Sequence, residues 1–234
     1  MGNRMSMSCT SSNALRVKTN NKKYIVIQGN IGAGKSTLFN EVKTRFSGNP
    51  RICMLPEPVD TWMDIKDKSG TILEHYYSDQ KKYAFTFQMM AYISRLSILR
   101  EAMKGDYDII ISERSLETDR NVFAAMLYDT EMIGDIEYQI YKKWFDEFTS
   151  DFPKETTIYV KTDPDVAHKR VIGRNRDGET IPIEYLEMCH KYHEKWLVSQ
   201  DNTDVVILDG NMDIKSNKDI MNIWIMRVFE ACFS

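Results

Sequence analysis

The sequence predicts an α/β fold in which a parallel sheet of five strands is covered by helices on both faces. Three observations support this prediction. Short apolar segments alternate along the chain with longer segments of helical periodicity. The apolar segments are rich in Ile and Val, which is typical of strands buried on both faces. A glycine-rich pattern joins the first strand to the first helix, the setting expected of a phosphate-binding loop.

The predicted elements follow one another in order. We place the strands at 24–28, 52–55, 107–112, 156–162 and 204–208. We place the helices at 35–46, 80–104, 118–129, 135–150, 164–172, 182–199 and 215–231. Pro164 and Pro182 lie at the predicted starts of two helices, a position that proline favours. Ligands of such sheets bind beyond the carboxyl ends of the strands, so polar residues at those ends are the candidates for a site.

The chain of 234 residues is predicted to contain one domain at 24–234, preceded by a basic tail at 1–23. The tail contains no acidic residue and shows no apolar periodicity, so we expect it to be disordered. Two alternatives stay open for it. Met1-Gly2 with Ser6 fits a weak myristoylation pattern, with Cys9 as a second lipid site. The composition also fits a weak mitochondrial transit peptide.

Composition argues against several classes of protein. A net charge of -3 does not indicate nucleic-acid binding, and no apolar run is long enough to span a membrane. The four cysteines are far apart in the sequence, which favours reduced thiols and a cytoplasmic location, with a mitochondrial location as the alternative. His190 and His193 are one helical turn apart, and a pair on a helix surface is favoured over a metal site.

The segment 25–39, IVIQGNIGAGKSTLF, carries the pattern G-x-x-x-x-G-K-[ST]. Glycines permit positive φ angles and let successive N–H groups approach an anion, and a helix N-terminus adds further donors. Lys35 can reach the β- and γ-phosphates, and the Ser36 hydroxyl can bind Mg²⁺. We therefore predict a site for ATP or another nucleoside triphosphate with Mg²⁺. Its residues are Gly29, Asn30, Ile31, Gly32, Ala33, Gly34, Lys35, Ser36 and Thr37.

Charged residues follow two further strands. Glu57, in PEPVDTW, follows the second strand and could act as general base for an acceptor hydroxyl. Glu113 and Arg114 follow the third strand. Glu113 can help to hold Mg²⁺, and Arg114 can offset charge near the reacting phosphoryl group. For each residue taken alone, a surface ion pair is the alternative.

A basic cluster at 168–180, HKRVIGRNRDGET, predicts a lid. Its cations include Arg170, Arg174 and Arg176, and the helix is expected to break at the Asp-Gly pair 177–178. Such a flap could close over phosphates and contact them with guanidinium groups. A solvated helix face is the alternative.

The helix predicted at 80–104 carries the candidate acceptor residues. Phe87, Ala91 and Arg95 are four residues apart and share a face, and Gln88 lies beside it. A Gln amide can pair with the edge of a base, and an aromatic ring can stack on its face. A core helix is the alternative, although it would not explain Gln88 and Arg95.

Several segments resemble one known family. GNIGAGKST, PEPVDTW, FTFQ, ERS, DR and IPIEYLEMCHKYHEKWL are similar to segments of the deoxyribonucleoside kinases of the deoxycytidine/deoxyguanosine kinase group. The resemblance extends over about residues 22–230. It implies the P-loop kinase fold with an Arg-rich lid, a homodimer, and transfer of the γ-phosphoryl group to the 5′-hydroxyl of a small-molecule deoxyribonucleoside in nucleotide salvage.

The resemblance also implies roles for single residues. Glu57 would take the proton of the 5′-hydroxyl, with Arg114 beside it and Lys35 on the phosphates. Gln88 would bind the base edge and Phe123 would stack on the base. The full acceptor set would be Glu57, Trp62, Tyr77, Phe87, Gln88, Ala91, Arg95, Arg114, Asp119, Phe123 and Glu179.

On the donor side, the resemblance implies that Arg170, Arg174 and Arg176 are lid arginines and that Asp213 lies in the loop at the donor base. The lid is about one residue shorter than in deoxycytidine kinases. This leaves open whether Glu179 or Asp177 binds the sugar 3′-hydroxyl together with Tyr77.

The trio Ala91, Arg95 and Asp119 predicts the preferred base. Thymidine-selective members of the family have apolar residues where this chain has Arg95 and Asp119. A site with buried polar groups rejects ligands that leave those groups unpaired. We therefore predict deoxycytidine and purine deoxynucleosides as acceptors over thymidine. A thymidine-preferring or broad-specificity kinase, and a non-catalytic accessory subunit of the same fold, are the alternatives.

Overall fold

The computed structural model describes residues 22–174, 181–198, 204–214 and 217–233. Within these residues, five strands form one parallel sheet in the order β2-β3-β1-β4-β5. The strands are β1 (Lys23–Gly29), β2 (Ile52–Leu55), β3 (Ile109–Glu113), β4 (Glu155–Lys161) and β5 (Val205–Asp209). The predicted sheet is therefore confirmed. The third strand begins two residues later than predicted and ends at Glu113 rather than at residue 112.

Helices surround this sheet. Their bounds are α1 (Lys35–Arg45), α2 (Val59–Asp64), α3 (Ile72–Ser78), α4 (Gln80–Lys104), α5 (Leu116–Thr118), α6 (Ala125–Asp129), α7 (Asp135–Thr149), α8 (Pro164–Arg174), α9 (Ile183–Leu197) and α10 (Lys218–Phe233). The short helices α2 and α3 were not predicted. The predicted helix at 118–129 is instead α5 and α6 joined by a π-helical segment, Asp119–Ala124.

Apolar layers on both faces hold the sheet. Ile25 and Ile27 of β1 pack with α1 and α10 on one face, where Trp224 is buried. Val26 points to the other face and packs with Leu99 of α4. This alternation follows from the period of two along a strand. Both faces of the central strand are buried, so its carboxyl end opens directly into the loop that follows it.

The helix α4 brings the candidate acceptor residues to the sheet. Its first turn is capped by Asp79, whose side chain accepts a hydrogen bond from the Lys82 N–H, and the helix ends before Gly105. Its 25 residues extend across the fold. None of the described helices is both long and apolar enough to cross a membrane.

Candidate functional site

The phosphate loop joins β1 to α1 and depends on three glycines. Gly29, Gly32 and Gly34 have φ angles of 145°, 79° and 101°, a region that favours glycine. A Cβ atom on Gly32 would lie 2.4 Å from the carbonyl oxygen of Ala167 in α8. A side chain at this position would therefore push the loop away from α8 as well as strain it.

Lys35 begins α1 and lies inside the loop. Its Nζ atom donates a hydrogen bond to the carbonyl oxygen of Asn30 at 2.7 Å. Burial and, to a smaller extent, the nearby Arg114 lower the pKa of Lys35, Glu113 and Glu57 partly offset the effect, and the net pKa is about 7. An anionic ligand beside Lys35 and Arg114 would favour the charged ammonium form of the lysine.

Ser36 and Glu113 form the candidate metal position. The Ser36 hydroxyl donates to Glu113 Oε1 at 2.6 Å, across the gap between α1 and the end of β3. Mg²⁺ prefers hard oxygen ligands and usually keeps several waters and phosphate oxygens in its shell. Within the described ranges there is no group of three or more His, Cys, Asp and Glu residues that could hold a metal ion. The Ser36 hydroxyl and the Glu113 carboxylate are hard oxygen donors and would suit Mg²⁺.

Glu57 follows β2 and contacts two guanidinium groups. Arg114 Nη1 lies 2.6 Å from Glu57 Oε1, and Arg95 Nη2 lies 3.2 Å from the same oxygen. Burial alone would raise the pKa of Glu57, but Arg114, Arg95 and Lys35 together lower it to about 2. The carboxylate is therefore ionised throughout the neutral range.

Arg114 has a backbone conformation that is unusual for a residue with a side chain. Its φ angle is 60°. The Arg114 N–H donates to the Ile27 carbonyl at 3.0 Å, and the Ser112 hydroxyl donates to the Arg114 carbonyl at 2.8 Å. Its buried Nε and Nη2 atoms have no hydrogen-bond partner among the residues that the structure describes. Orphaned buried donors of a cation fit a phosphate or another anion.

Arg95 connects Glu57 to Asp119. Its Nε atom donates to Asp119 Oδ2 at 3.0 Å, and its Nη1 atom donates to the Glu113 carbonyl at 3.1 Å. Burial raises the pKa of Asp119 in spite of Arg95. One guanidinium group thus contacts both the candidate base and the carboxylate predicted to recognise the nucleobase.

An aromatic wall surrounds the side chain of Gln88. The rings of Trp62 and Phe87 meet edge to face with centroids 5.5 Å apart, and Trp62 Nε1 donates to Ser94 Oγ at 2.8 Å. The Gln88 Oε1 atom is buried and has no hydrogen-bond partner within the described part of the chain. This acceptor fits a ligand that supplies a hydrogen-bond donor, such as an exocyclic amino group.

These groups line one cavity of about 850 Å³. Most of the predicted site residues line it: Ile31, Gly32, Gly34, Lys35, Ser36, Thr37, Glu57, Trp62, Tyr77, Phe87, Gln88, Ala91, Arg95, Glu113, Arg114, Asp119, Phe123, Arg170, Arg174 and Asp213. Gly29, Asn30 and Ala33 belong to the same loop but do not line the cavity. Arg176 and Glu179 lie outside the described residues, as does the tail at 1–21. The individual roles of all these residues stay predictions.

Arg170 makes contacts that its predicted role did not include. Its guanidinium group donates to the carbonyl oxygens of Ala33 at 3.3 Å, Gly210 at 2.8 Å and Met212 at 3.1 Å. It thereby ties α8 to the phosphate loop and to the loop after β5, at the edge of the cavity. Arg174 and Asp213 line the cavity close to these contacts.

Tyr76 and Tyr185 also line the cavity, but the sequence did not predict them as site residues. Tyr76 lines the cavity, stacks on Phe87 at 4.6 Å and shares a hydrogen bond of 2.8 Å with the Tyr185 hydroxyl. The two tyrosines are 109 residues apart, so no local pattern could have paired them. The predicted surface position of His193 is wrong, because its ring is fully buried and stacked on Tyr159.

Comparison with known proteins agrees with this geometry. A sequence model of the deoxynucleoside kinase family matches residues 25–231. A probable deoxycytidine kinase of fowlpox virus is 36% identical over 197 residues, covering 82% of this chain and 79% of the viral protein. Deoxycytidine kinase 1 of Xenopus laevis is 33% identical over 240 residues, with 89% of each chain covered. Human deoxycytidine kinase is 31% identical over 244 residues, covering 89% of this chain and 91% of the human protein.

The family match spans the phosphate loop, Glu57, the Arg95–Asp119 pair and the helix α9. It therefore includes every element that contributes to the cavity. With a P-loop kinase fold, a candidate nucleotide site and relatives that match over most of their length, this chain belongs to the deoxynucleoside kinase family.

Proposed function

We propose that this chain transfers the γ-phosphoryl group of ATP, or of another nucleoside triphosphate, to the 5′-hydroxyl of deoxycytidine and purine deoxynucleosides. The observation that carries the proposal is the Arg95 side chain, which contacts Glu57 and Asp119 in one cavity with the phosphate loop. The cavity volume of about 850 Å³ is within the range of small-ligand sites, roughly 300–1,000 Å³. It can therefore hold a nucleoside beside the phosphates of a donor.

The residues of this chain would have the following roles. The phosphate loop and Lys35 hold the donor phosphates, and Ser36 and Glu113 hold Mg²⁺, which offsets phosphate charge. The Glu57 carboxylate accepts a hydrogen bond from the 5′-hydroxyl and receives its proton during transfer. Its low pKa is no obstacle, because phosphoryl transfer through a loose transition state depends more on positioning than on a strong base.

The charge of Arg95 and Asp119 supports the proposed base preference. Both side chains are buried, at 3% and 2% exposure, next to the free acceptor of Gln88. A base with an amino group and a ring acceptor can pair with such groups, whereas thymine lacks an exocyclic amino group. A base that leaves the buried Gln88 acceptor without a donor is therefore penalised.

The direct experiment measures phosphoryl transfer from ATP and Mg²⁺ to deoxycytidine, deoxyadenosine, deoxyguanosine and thymidine, side by side on purified protein. We expect turnover of one or more of the first three and little of thymidine. Thymidine as the best acceptor would contradict the base preference and leave a kinase. Nucleotide binding without turnover of any acceptor would favour the accessory-subunit alternative.

We further propose a homodimer that uses the exposed apolar face of α7. Ile136, Ile140 and Trp144 are 74%, 41% and 46% exposed, and their spacing of four residues places them on one side of the helix. Ile93 of the neighbouring helix α4 is 50% exposed. Apolar side chains exposed together on a soluble surface are typical of contact sites between proteins.

Charges on this face are expected to dissociate the dimer. In sedimentation at micromolar concentration, the double variant Ile136→Glu with Trp144→Glu is expected to have the mass of a monomer, because the glutamates would be desolvated in the interface. The matched control is Ile223→Glu on α10, which is 56% exposed and should leave the dimer intact. A monomeric wild type, or dissociation by the control alone, would contradict this interface.

We also propose a cytoplasmic location, with the mitochondrial alternative still open. Cys53, Cys189 and Cys232 are free thiols, which suits a reducing compartment.

A further inference from the structure

Gln28 is a buried polar residue of the central strand that the functions above do not use. It lies directly before Gly29, where the phosphate loop begins, and its side chain is 0% exposed. Its Nε2 atom donates to Ser115 Oγ at 2.9 Å and to Glu155 Oε1 at 3.4 Å. Its Oε1 atom accepts a hydrogen bond from the hydroxyl of Thr118. One amide thus joins β1, the helix α5 and β4.

The two hydroxyls bound by Gln28 are the immediate chain neighbours of two site residues. Ser115 follows Arg114, and Thr118 precedes Asp119. Ser115 and Thr118 also bond each other reciprocally at the N-terminus of α5. The segment from 114 to 119 is therefore anchored to the Gln28 side chain at both Ser115 and Thr118.

The contacts of Gln28 matter because the backbone of the adjacent Arg114 is strained. Arg114 has a φ angle of 60°, a strained conformation for an L-residue that persists only where the surrounding structure imposes it. The Arg114 carbonyl is held by Ser112 and its N–H by the Ile27 carbonyl, one residue before Gln28. Loss of the Gln28 bonds would release the other end of the same turn, at Ser115.

We propose that Gln28 is a positioning residue, which holds Arg114 and Asp119 in their places from the central strand and so supports both phosphoryl transfer and recognition of the acceptor. The inference rests on the proposed function. Gln28 touches neither substrate nor the reacting atoms, since it does not line the cavity. It acts through Ser115 and Thr118.

The contact with Glu155 requires a hydrogen-bond donor at this position as long as residue 155 is a carboxyl group. A carboxylate at position 28 could accept from the Ser115 and Thr118 hydroxyls but could not donate to Glu155. Burial raises the pKa of Glu155 to about 7, although its hydrogen bonds from Ser115, Gln28 and Thr157 lower it. A carboxyl group at position 28 would therefore lie beside Glu155, whose ionised form is already disfavoured by burial.

The test compares four variants by steady-state kinetics, in which each substrate is varied while the other is saturating. Gln28→Met keeps the volume without polar atoms, and Gln28→Glu keeps the shape without the donor. We expect each to lower kcat by about 10²-fold, the scale of a misplacement of about 1 Å, and to raise the KM of the deoxynucleoside with little change in the KM of ATP. The double variant Gln28→Glu with Glu155→Gln restores an amide–carboxyl pair, and we expect it to recover most of the lost kcat.

The matched control is Tyr159→Phe. Tyr159 is the register partner of Gln28 in β4, is equally buried, and bonds Glu194 of α9 through its hydroxyl. Removing this bond loosens the sheet against α9 without touching Ser115 or Thr118. We expect a small loss of thermal stability and a kcat close to that of the wild type.

Two failures can be told apart. An active wild type whose Gln28→Met variant matches Tyr159→Phe, with both KM values unchanged, would overturn the positioning role and leave the proposed function. A double variant no better than Gln28→Glu would do the same. A wild type that transfers no phosphoryl group to any deoxynucleoside would overturn the proposed function, and this inference with it.

Discussion

Replacing Glu57 by Gln is expected to lower kcat by about 10²–10⁴-fold, the usual contribution of a positioned general base. The amide keeps the shape of the carboxylate but cannot receive the proton of the 5′-hydroxyl. It also removes the negative charge that Arg114 and Arg95 share at 2.6 Å and 3.2 Å. The rate of the chemical step should therefore fall much more than the affinity for the donor, because Lys35 and the phosphate loop are unchanged.

Turnover and ATP binding should be measured on the same preparation of Glu57→Gln. The matched control is Asp60→Asn, an exposed acid of α2 three residues away, which should keep wild-type turnover. Because breaking a buried charge pair is itself destabilising, by about 3–5 kcal/mol, thermal unfolding must show that the variant is still folded at the assay temperature. A folded variant with unchanged kcat would remove Glu57 from the reaction and would make the accessory-subunit alternative worth testing again.

The second large effect is expected from the double variant Arg95→Met with Asp119→Ala. Removing both partners eliminates an ion pair that is almost completely buried, without leaving either charge alone. We expect kcat/KM for deoxycytidine to fall by about 10²–10³-fold, equivalent to about 3–4 kcal/mol, and activity on thymidine to appear or rise. The new apolar surface no longer penalises a base without an amino group.

The single variants provide the control for this change of specificity. Arg95→Met leaves Asp119 buried without its cation, so its pKa, which burial already raises, should rise further. We expect that variant to lose activity on all acceptors without gaining thymidine. Steady-state kinetics on deoxycytidine and thymidine would distinguish the cases. A double variant that gains no thymidine activity would contradict the role of this pair in base selection.

The fold could be predicted where the signals were local. The glycine pattern and the Ile- and Val-rich segments located all five strands, because each strand is a short apolar segment between segments of helical periodicity. The helices α2 and α3 were missed because six and seven residues are too few for a clear helical period. The π-helical segment at Asp119–Ala124 has no sequence signature of its own, so 118–129 looked like one regular helix.

The candidate site, too, could be predicted where its residues follow strands but not where it depends on contacts between distant elements. Glu57, Glu113 and Arg114 were found because they follow strands, and the topology of a parallel sheet then places them together. The contact of Arg95 with Glu57 was not predictable, since the two lie 38 residues apart on different elements. The same holds for the Gln28–Ser115 contact across 87 residues. Sequence patterns located the edge of the sheet at which the candidate site lies, whereas the contacts of each side chain depended on tertiary packing.

The burial of Lys35 has a thermodynamic consequence for the donor. With a pKa of about 7, the side chain is partly deprotonated at neutral pH before any nucleotide binds. Phosphate oxygens beside the ammonium group favour its charged form and so raise that pKa. Donor binding should thus be accompanied by proton uptake, and affinity should weaken as the pH rises above 7. The heat of binding would then vary with the ionisation enthalpy of the buffer, so the phosphate loop would act as a proton acceptor as well as an anion site.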